Sequence, residues 1–129
     1  MAKEKLLGII TRPVITASEE TSAQEVARLL QEHNIGVGVI VKGEHIVGIV
    51  SERDLTHRVV AENLIPENVK AADVMTREVV SVELKEGLNK IYQVLCEIKF
   101  RHLLVTDEDR LVGITSRRDL LDNLVAGKR

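Results

Sequence analysis

Aromatic side chains are almost missing from this sequence: Tyr92 and Phe100 are the only two, and there is no tryptophan. Any hydrophobic interior must therefore be aliphatic, built from Val, Ile, Leu and Ala. The single cysteine, Cys96, excludes an intrachain disulfide and a cysteine-rich metal site. No apolar run approaches the ~20 residues that span a bilayer. The apolar stretch after Met1-Ala2-Lys3-Glu4-Lys5 is too short for a signal peptide, so the expected location is cytoplasmic. Basic excess is lacking as well: a formal net charge of −2 argues against a general binder of nucleic acid or anionic membrane. Neither a Walker loop nor Gly-x-Gly-x-x-Gly occurs. His33, His45 and His57 have no Cys, Asp or Glu partners repeated at ligand spacing, so no metal site is expected.

What is present is an ordinary globular composition. The chain has 129 residues, 44 % apolar and 29 % charged, enough for one compact domain but not for two independent ones.

Its dominant feature is a duplication. A gapless shift of 65 residues places Thr11-Arg12 on Thr76-Arg77, Val14 on Val79, Leu30 on Leu95 and Glu32 on Glu97. The same shift aligns Val47-Gly48-Ile49 with Val112-Gly113-Ile114, Ser51 with Ser116, and Arg53-Asp54-Leu55 with Arg118-Asp119-Leu120. The expected boundaries are 1–65 for the first copy and 66–129 for the second, joined by a linker over roughly 62–72 that contains Pro66.

Both copies carry the same periodicities. An extended segment (13–16; 78–82) precedes a helix. Thr21 to Gln24 fits a capping box, followed by a stripe of Val26, Leu29, Leu30 and His33. Leu88, Ile91, Tyr92, Leu95 and Ile98 mark the matching stripe, with Cys96 beside it as an expected packed thiol. Two strands follow in each copy, over 37–41 and 46–50 and over 103–106 and 111–115, joined by loops short enough for hairpins. Their continuous Val/Ile/Leu character suggests sheets covered on both faces. A last helix starts at Ser51 or Ser116. The fold class is therefore α/β, two β-α-β-β-α units. About 55 residues without disulfide, metal or aromatic core is marginal alone, so the two are expected to pack through their sheets about a pseudo-twofold axis.

The strand-to-helix signature reads Gly48-Ile49-Val50-Ser51-Glu52-Arg53-Asp54-Leu55, and again Gly113-Ile114-Thr115-Ser116-Arg117-Arg118-Asp119-Leu120. With the lead-in Ala72 to Thr76 and the strand start Phe100 to Val105, it resembles the CBS-domain family, the regulatory domain of cystathionine β-synthase, over nearly the whole chain. The resemblance implies a stand-alone tandem pair, a Bateman module. Such pairs commonly bind AMP, ADP or ATP, sometimes S-adenosylmethionine, and usually form homodimers. It further implies that the signature Asp holds ribose hydroxyls, that the nearby Ser faces phosphate, and that adenine enters between apolar side chains of the opposite copy. One cleft would then use Ile114, Ser116 and Asp119, with Arg101 and His102 adding positive charge and Thr11, Val14, Thr16, Ile35 and Gly36 as the wall. The other would use Ile49, Ser51 and Asp54, with Arg53 and Arg58, against Thr76, Val79, Ser81 and Phe100.

The residue types suit that chemistry. A carboxylate accepts from two vicinal hydroxyls with charge-assisted strength, and a helix start favours phosphate. Gly36 and Val37 stand where the second copy has Arg101 and His102, so tighter nucleotide binding is expected at the Asp119 cleft. Ser-x-x-Asp is equally a capping pattern, and the two roles are compatible. Ser51, Asp54 and His57 form the only Ser/Asp/His cluster, yet their spacing sets Asp beside Ser and not behind His, which excludes a hydrolytic triad. The expectation is a non-enzymatic sensor that acts on an unidentified effector protein. The alternatives are a ligand-free dimerisation scaffold and an S-adenosylmethionine binder.

Overall fold

The duplication folds as two three-stranded sheets of identical strand order. The computed structural model of the chain describes residues 8–10 and 14–126, with side chains through 123. In the first copy, β1 (Thr16–Ser18), α1 (Ala23–His33), β2 (Val37–Lys42), β3 (His45–Ser51) and α2 (Glu52–Leu55) follow in order. A π-helical turn, Thr56–Val60, continues α2, and a 3-10 turn at Pro66–Asn68 leads to α3 (Ala71–Val74). The second copy has β4 (Val80–Glu83), a 3-10 turn, α4 (Gly87–Glu97), β5 (His102–Asp107), β6 (Arg110–Ser116) and α5 (Arg117–Ala126). Each first strand pairs parallel to the next, which returns antiparallel in a hairpin. The β-α-β-β-α pattern read from the sequence is the one formed.

Local departures have simple causes. The first strands begin at Thr16 and Val80, later than the extended segments read from sequence, because pairing to β2 and β5 starts there, Thr16 opposite Val39 and Val80 opposite Leu103. Ser22, not Thr21, caps α1: its backbone is extended and its Oγ accepts from the Glu25 amide at 3.1 Å. The Thr21 hydroxyl instead receives the Ser18 amide at 3.2 Å, closing the turn after β1. On α1 the buried face is Ala23, Val26 and Leu30, and His33 is exposed. On α4 it is Ile91, Val94 and Leu95. Tyr92 is at its edge, and Ile98 is exposed because it lies one residue past the helix with extended backbone. Cys96 is exposed, contrary to the packed thiol expected.

The compact units divide the chain elsewhere than the 1–65 and 66–129 boundaries of the repeat. One is Ile15–Glu78; the other combines described residues of 1–14 with those of 79–129. Two glycines show why. A Cβ on Gly48 would stand 2.7 Å from Met75 Sδ, and one on Gly113 would stand 2.5 Å from Ile10 Cδ1. Ile10 and Met75 are equivalent positions in the duplication, as are Gly48 and Gly113. The lead-in of each sequence copy is thus seated in a glycine notch of the other copy's third strand. Met75 joins the core of Val26, Leu30, Ile40, Val50 and Val74, and Ile10 that of Ile91, Leu95, Leu103, Val105 and Leu120. Replacing either notch glycine by alanine is expected to cost about 1–3 kcal/mol, the usual range for overpacking, and a lowered denaturation midpoint will report it.

The β5–β6 hairpin is held differently from its counterpart. The first hairpin turns through Gly43 at φ +62°, whereas the second turns through Glu108 and Asp109 at φ +51° and +66°, a conformation that side chains adopt reluctantly. The Glu83 carboxylate compensates, accepting from the Thr106 hydroxyl at 2.8 Å and the Glu108 and Asp109 amides at 2.9 and 3.0 Å. These bonds, the Thr106 hydroxyl foremost, hold the Glu83 carboxyl below its usual value of 4.5. A depressed folded-state value contributes stability above the unfolded value and loses it as pH falls through the folded one. Glu83→Gln should therefore destabilise the protein near neutral pH, and its thermal midpoint should converge with that of the parent as pH drops below 4.5.

Candidate functional site

The Ser-x-x-Asp junction is built twice, with different outcomes. At the end of β3, Ser51 Oγ accepts from the Asp54 amide at 3.1 Å, and Asp54 Oδ2 accepts from the Ser51 amide at 2.9 Å, completing a capping box. Asp54 is only 7 % exposed, and its Oδ1 accepts from the Thr76 hydroxyl at 3.0 Å. Arg58 Nη1 lies 3.8 Å from that oxygen and donates to the Val74 and Met75 carbonyls at 2.9 and 2.8 Å. Thr76 is itself fixed by reciprocal backbone bonds with Ile49, of 2.8 and 3.0 Å. Both Asp54 oxygens are thereby engaged within the 15–78 unit.

At the end of β6 only half of the box forms. Ser116 Oγ accepts from the Asp119 amide at 3.0 Å. Asp119 is exposed, and its carboxylate has no partner among the described residues. Beside this junction lies a cavity of about 800 Å³. It is lined by Lys99, Phe100, Arg101 and His102 from the α4–β5 connection, and by Ser116, Arg117, Arg118, Leu121 and Asp122 from the start of α5.

Arg117 is committed to the frame. Its guanidinium donates to the Leu95 carbonyl at 2.7 Å and the Ile98 carbonyl at 3.3 Å and lies 5.2 Å from the centroid of the Phe100 ring. It does for α4 what Asn34 does for α1, where a left-handed residue at φ 51° returns its amide to the last turn. The Arg117 amide also donates to the Arg101 carbonyl at 2.8 Å, fixing the entrance of β5 against the start of α5. Lys99, Arg101 and Arg118 have no ion-pair partner among the described residues, so three cations face solvent around the cavity.

The first copy has a cavity at the matching place, of about 370 Å³, lined by Asn34, Ile35, Glu52, Thr56 and neighbours. Asn34 stands where Lys99 is, Gly36 where Arg101 is, and Glu52 where Arg117 is. One fold thus carries a cationic pocket in one copy and a smaller pocket, with Glu52 in its wall, in the other. That contrast is chemical, since the backbones share the same strand order and the same cross-link, Glu52 amide to Gly36 carbonyl at 2.9 Å.

The residues predicted from sequence fall into groups. Ile49, Ser51, Asp54, Arg58 and Thr76 are brought together in the 15–78 unit, where Arg53 is exposed, Thr16 lies on β1 and Ile35 packs against the core. In the other unit Arg101, His102 and Ser116 share the cavity, Ile114 is buried on β6, Val79 is half-buried, and Ser81 is exposed on β4. Phe100, assigned from sequence to the Asp54 cleft, lines the cavity with Arg101. Val14 is half-buried, and Thr11 lies outside the described residues. Lys99, Arg117 and Arg118 were missed. For Lys99 and Arg117 the signal was the loss of the shift's conservatism at 34/99 and 52/117, where a neutral or acidic residue becomes basic; Arg118 repeats Arg53 and carried no such signal.

Among the described residues no helix is long and apolar enough to cross a membrane. The CBS domain family model matches residues 6–61 and 71–126. An uncharacterized Methanopyrus kandleri protein, MK0525, is 36 % identical over 88 % of this chain, which spans 59 % of that protein. The inosine-5'-monophosphate dehydrogenase of Methanocaldococcus jannaschii is 31 % identical over 93 % of this chain, which spans only 23 % of the enzyme. The CBS domain pair of protein MJ0100, solved with 5'-methylthioadenosine and S-adenosyl-L-methionine, superposes with a TM-score of 0.76 at 28 % identity, covering 95 % of this chain and 96 % of that one. Two family matches in register with the duplication, on two β-α-β-β-α units, make this chain a tandem CBS-domain protein.

Proposed function

We propose that the protein is a non-catalytic sensor that binds an adenosine nucleotide, AMP, ADP or ATP, at the Asp119 half. The observation that carries this reading is the gathering, among the described residues, of three unpaired cations, Lys99, Arg101 and Arg118, around the cavity beside Ser116, whereas the matching cavity of the first copy is lined by no Lys or Arg. Lys99, Arg101 and Arg118 supply charge for phosphate oxygens, and Asp119 supplies a carboxylate for the vicinal hydroxyls of ribose. Phe100 and Leu121 give the cavity apolar wall. Occupancy regulates an effector to the extent that the ligand favours one conformation over another. The partners in this reading are a second copy of the chain and that effector protein.

The adenosine class draws support from the ligands of the MJ0100 pair, and those same ligands favour a second reading, S-adenosylmethionine. Three cations around the cavity weigh against that reading, because the sulfonium is itself positive and brings no phosphate to offset them.

Isothermal titration with AMP, ADP, ATP and S-adenosylmethionine tests the proposal. Asp119→Ala should weaken nucleotide binding about tenfold or more, as expected for losing hydrogen bonds to a charged group. Arg101→Ala should weaken ATP more than adenosine, because only the former carries phosphate. Saturable binding of S-adenosylmethionine alone selects the second reading. Absence of heat with all four ligands, from protein free of co-purified nucleotide, leaves the ligand-free scaffold.

A further inference from the structure

We infer that the Asp54 junction is a latch, fastening the chain at 74–76 to the end of β3 and so closing the first copy's Ser-x-x-Asp to ligand. Its parts converge from three stretches of sequence. Asp54 Oδ2 is taken by the Ser51 amide and hydroxyl at 2.9 and 3.1 Å, and Oδ1 by the Thr76 hydroxyl at 3.0 Å. Arg58 reaches the Val74 and Met75 carbonyls at 2.9 and 2.8 Å from the π-helical turn, and Met75 fills the Gly48 notch. The backbone pairing of Thr76 with Ile49 ties the hydroxyl donor to the strand that carries the carboxylate.

A vicinal diol approaching Asp54 would have to displace the Thr76 hydroxyl and expose a side chain that is now 9 % accessible. Thr11, the equivalent of Thr76 in the duplication, lies outside the described residues, so the latch concerns the Asp54 junction alone. Thr76 holds the carboxylate of the first copy's motif in place. It is a positioning residue, acting through Asp54.

The latch itself is tested without ligand, by amide hydrogen exchange on full-length Thr76→Val and Thr76→Ser. Thr76→Val should speed exchange of the Ile49 and Thr76 amides about tenfold or more, the loss expected for one hydrogen bond to a charged group, while amides of α1 stay unchanged. Thr76→Ser keeps the hydroxyl and should retain the parent protection. Unchanged exchange in Thr76→Val, or equal acceleration in both variants, would overturn the latch. The stoichiometric consequence rests on the nucleotide reading: one nucleotide per chain, with Asp54→Asn leaving its affinity within about threefold, less than one such bond is worth. Two nucleotides per chain, the second lost in Asp54→Asn, would also overturn it. No nucleotide binding at all would remove the sensor reading and leave the exchange result to decide the latch.

Discussion

Close packing against a missing side chain organises this molecule. Gly48 and Gly113 leave notches in β3 and β6 that Met75 and Ile10 fill at distances no Cβ would permit. Each seat converts a lead-in segment into part of a core whose other members come from the opposite end of the duplication. The consequences reach the functional residues. Seating Met75 delivers Thr76 to Ile49 and its hydroxyl to Asp54, and it presents the carbonyls that Arg58 caps.

Duplication then supplied two equal junctions, and side-chain chemistry separated them. Both copies keep the Ser N-cap, the aspartate three residues on, and the backbone bond from the start of the last helix to the entrance of the middle strand. Around one, Lys99, Arg101 and Arg118 surround a large cavity; around the other, Asn34 and Glu52 border a small one. The ends of α1 and α4 diverged with them. A left-handed Asn34 finishes the first helix locally, whereas the second relies on the Arg117 guanidinium from α5. A residue spent on a helix terminus cannot also neutralise a ligand, so the apparent basic cluster at 117–118 contributes one free cation and not two.

Much of this was legible in advance. Strict hydrophobic periodicity and the gapless repeat gave the strand and helix order, because burial of one face dictates period 2 or 3.6. The difference in charge between Arg101 and His102 and their counterparts Gly36 and Val37 could be seen from the alignment of the copies, and both residues line the cavity. Errors concentrated at element ends. Thr21 and Ser22 are both competent caps, and backbone geometry alone selected Ser22. Ile98 fits the helical stripe by spacing but falls after the helix has ended.

The sequence by itself determined the family, the duplicated β-α-β-β-α order and the positions of both Ser-x-x-Asp motifs, since these follow from local pattern and composition. Tertiary structure decided that Asp54 is buried and satisfied while Asp119 is exposed, that Arg117 is tied to α4, and that Lys99 belongs to the cavity. The physical reason is that these distinctions depend on contacts between residues far apart in the chain, such as Thr76 with Asp54. A motif specifies which groups are available for bonding; only the fold specifies which of them already have partners.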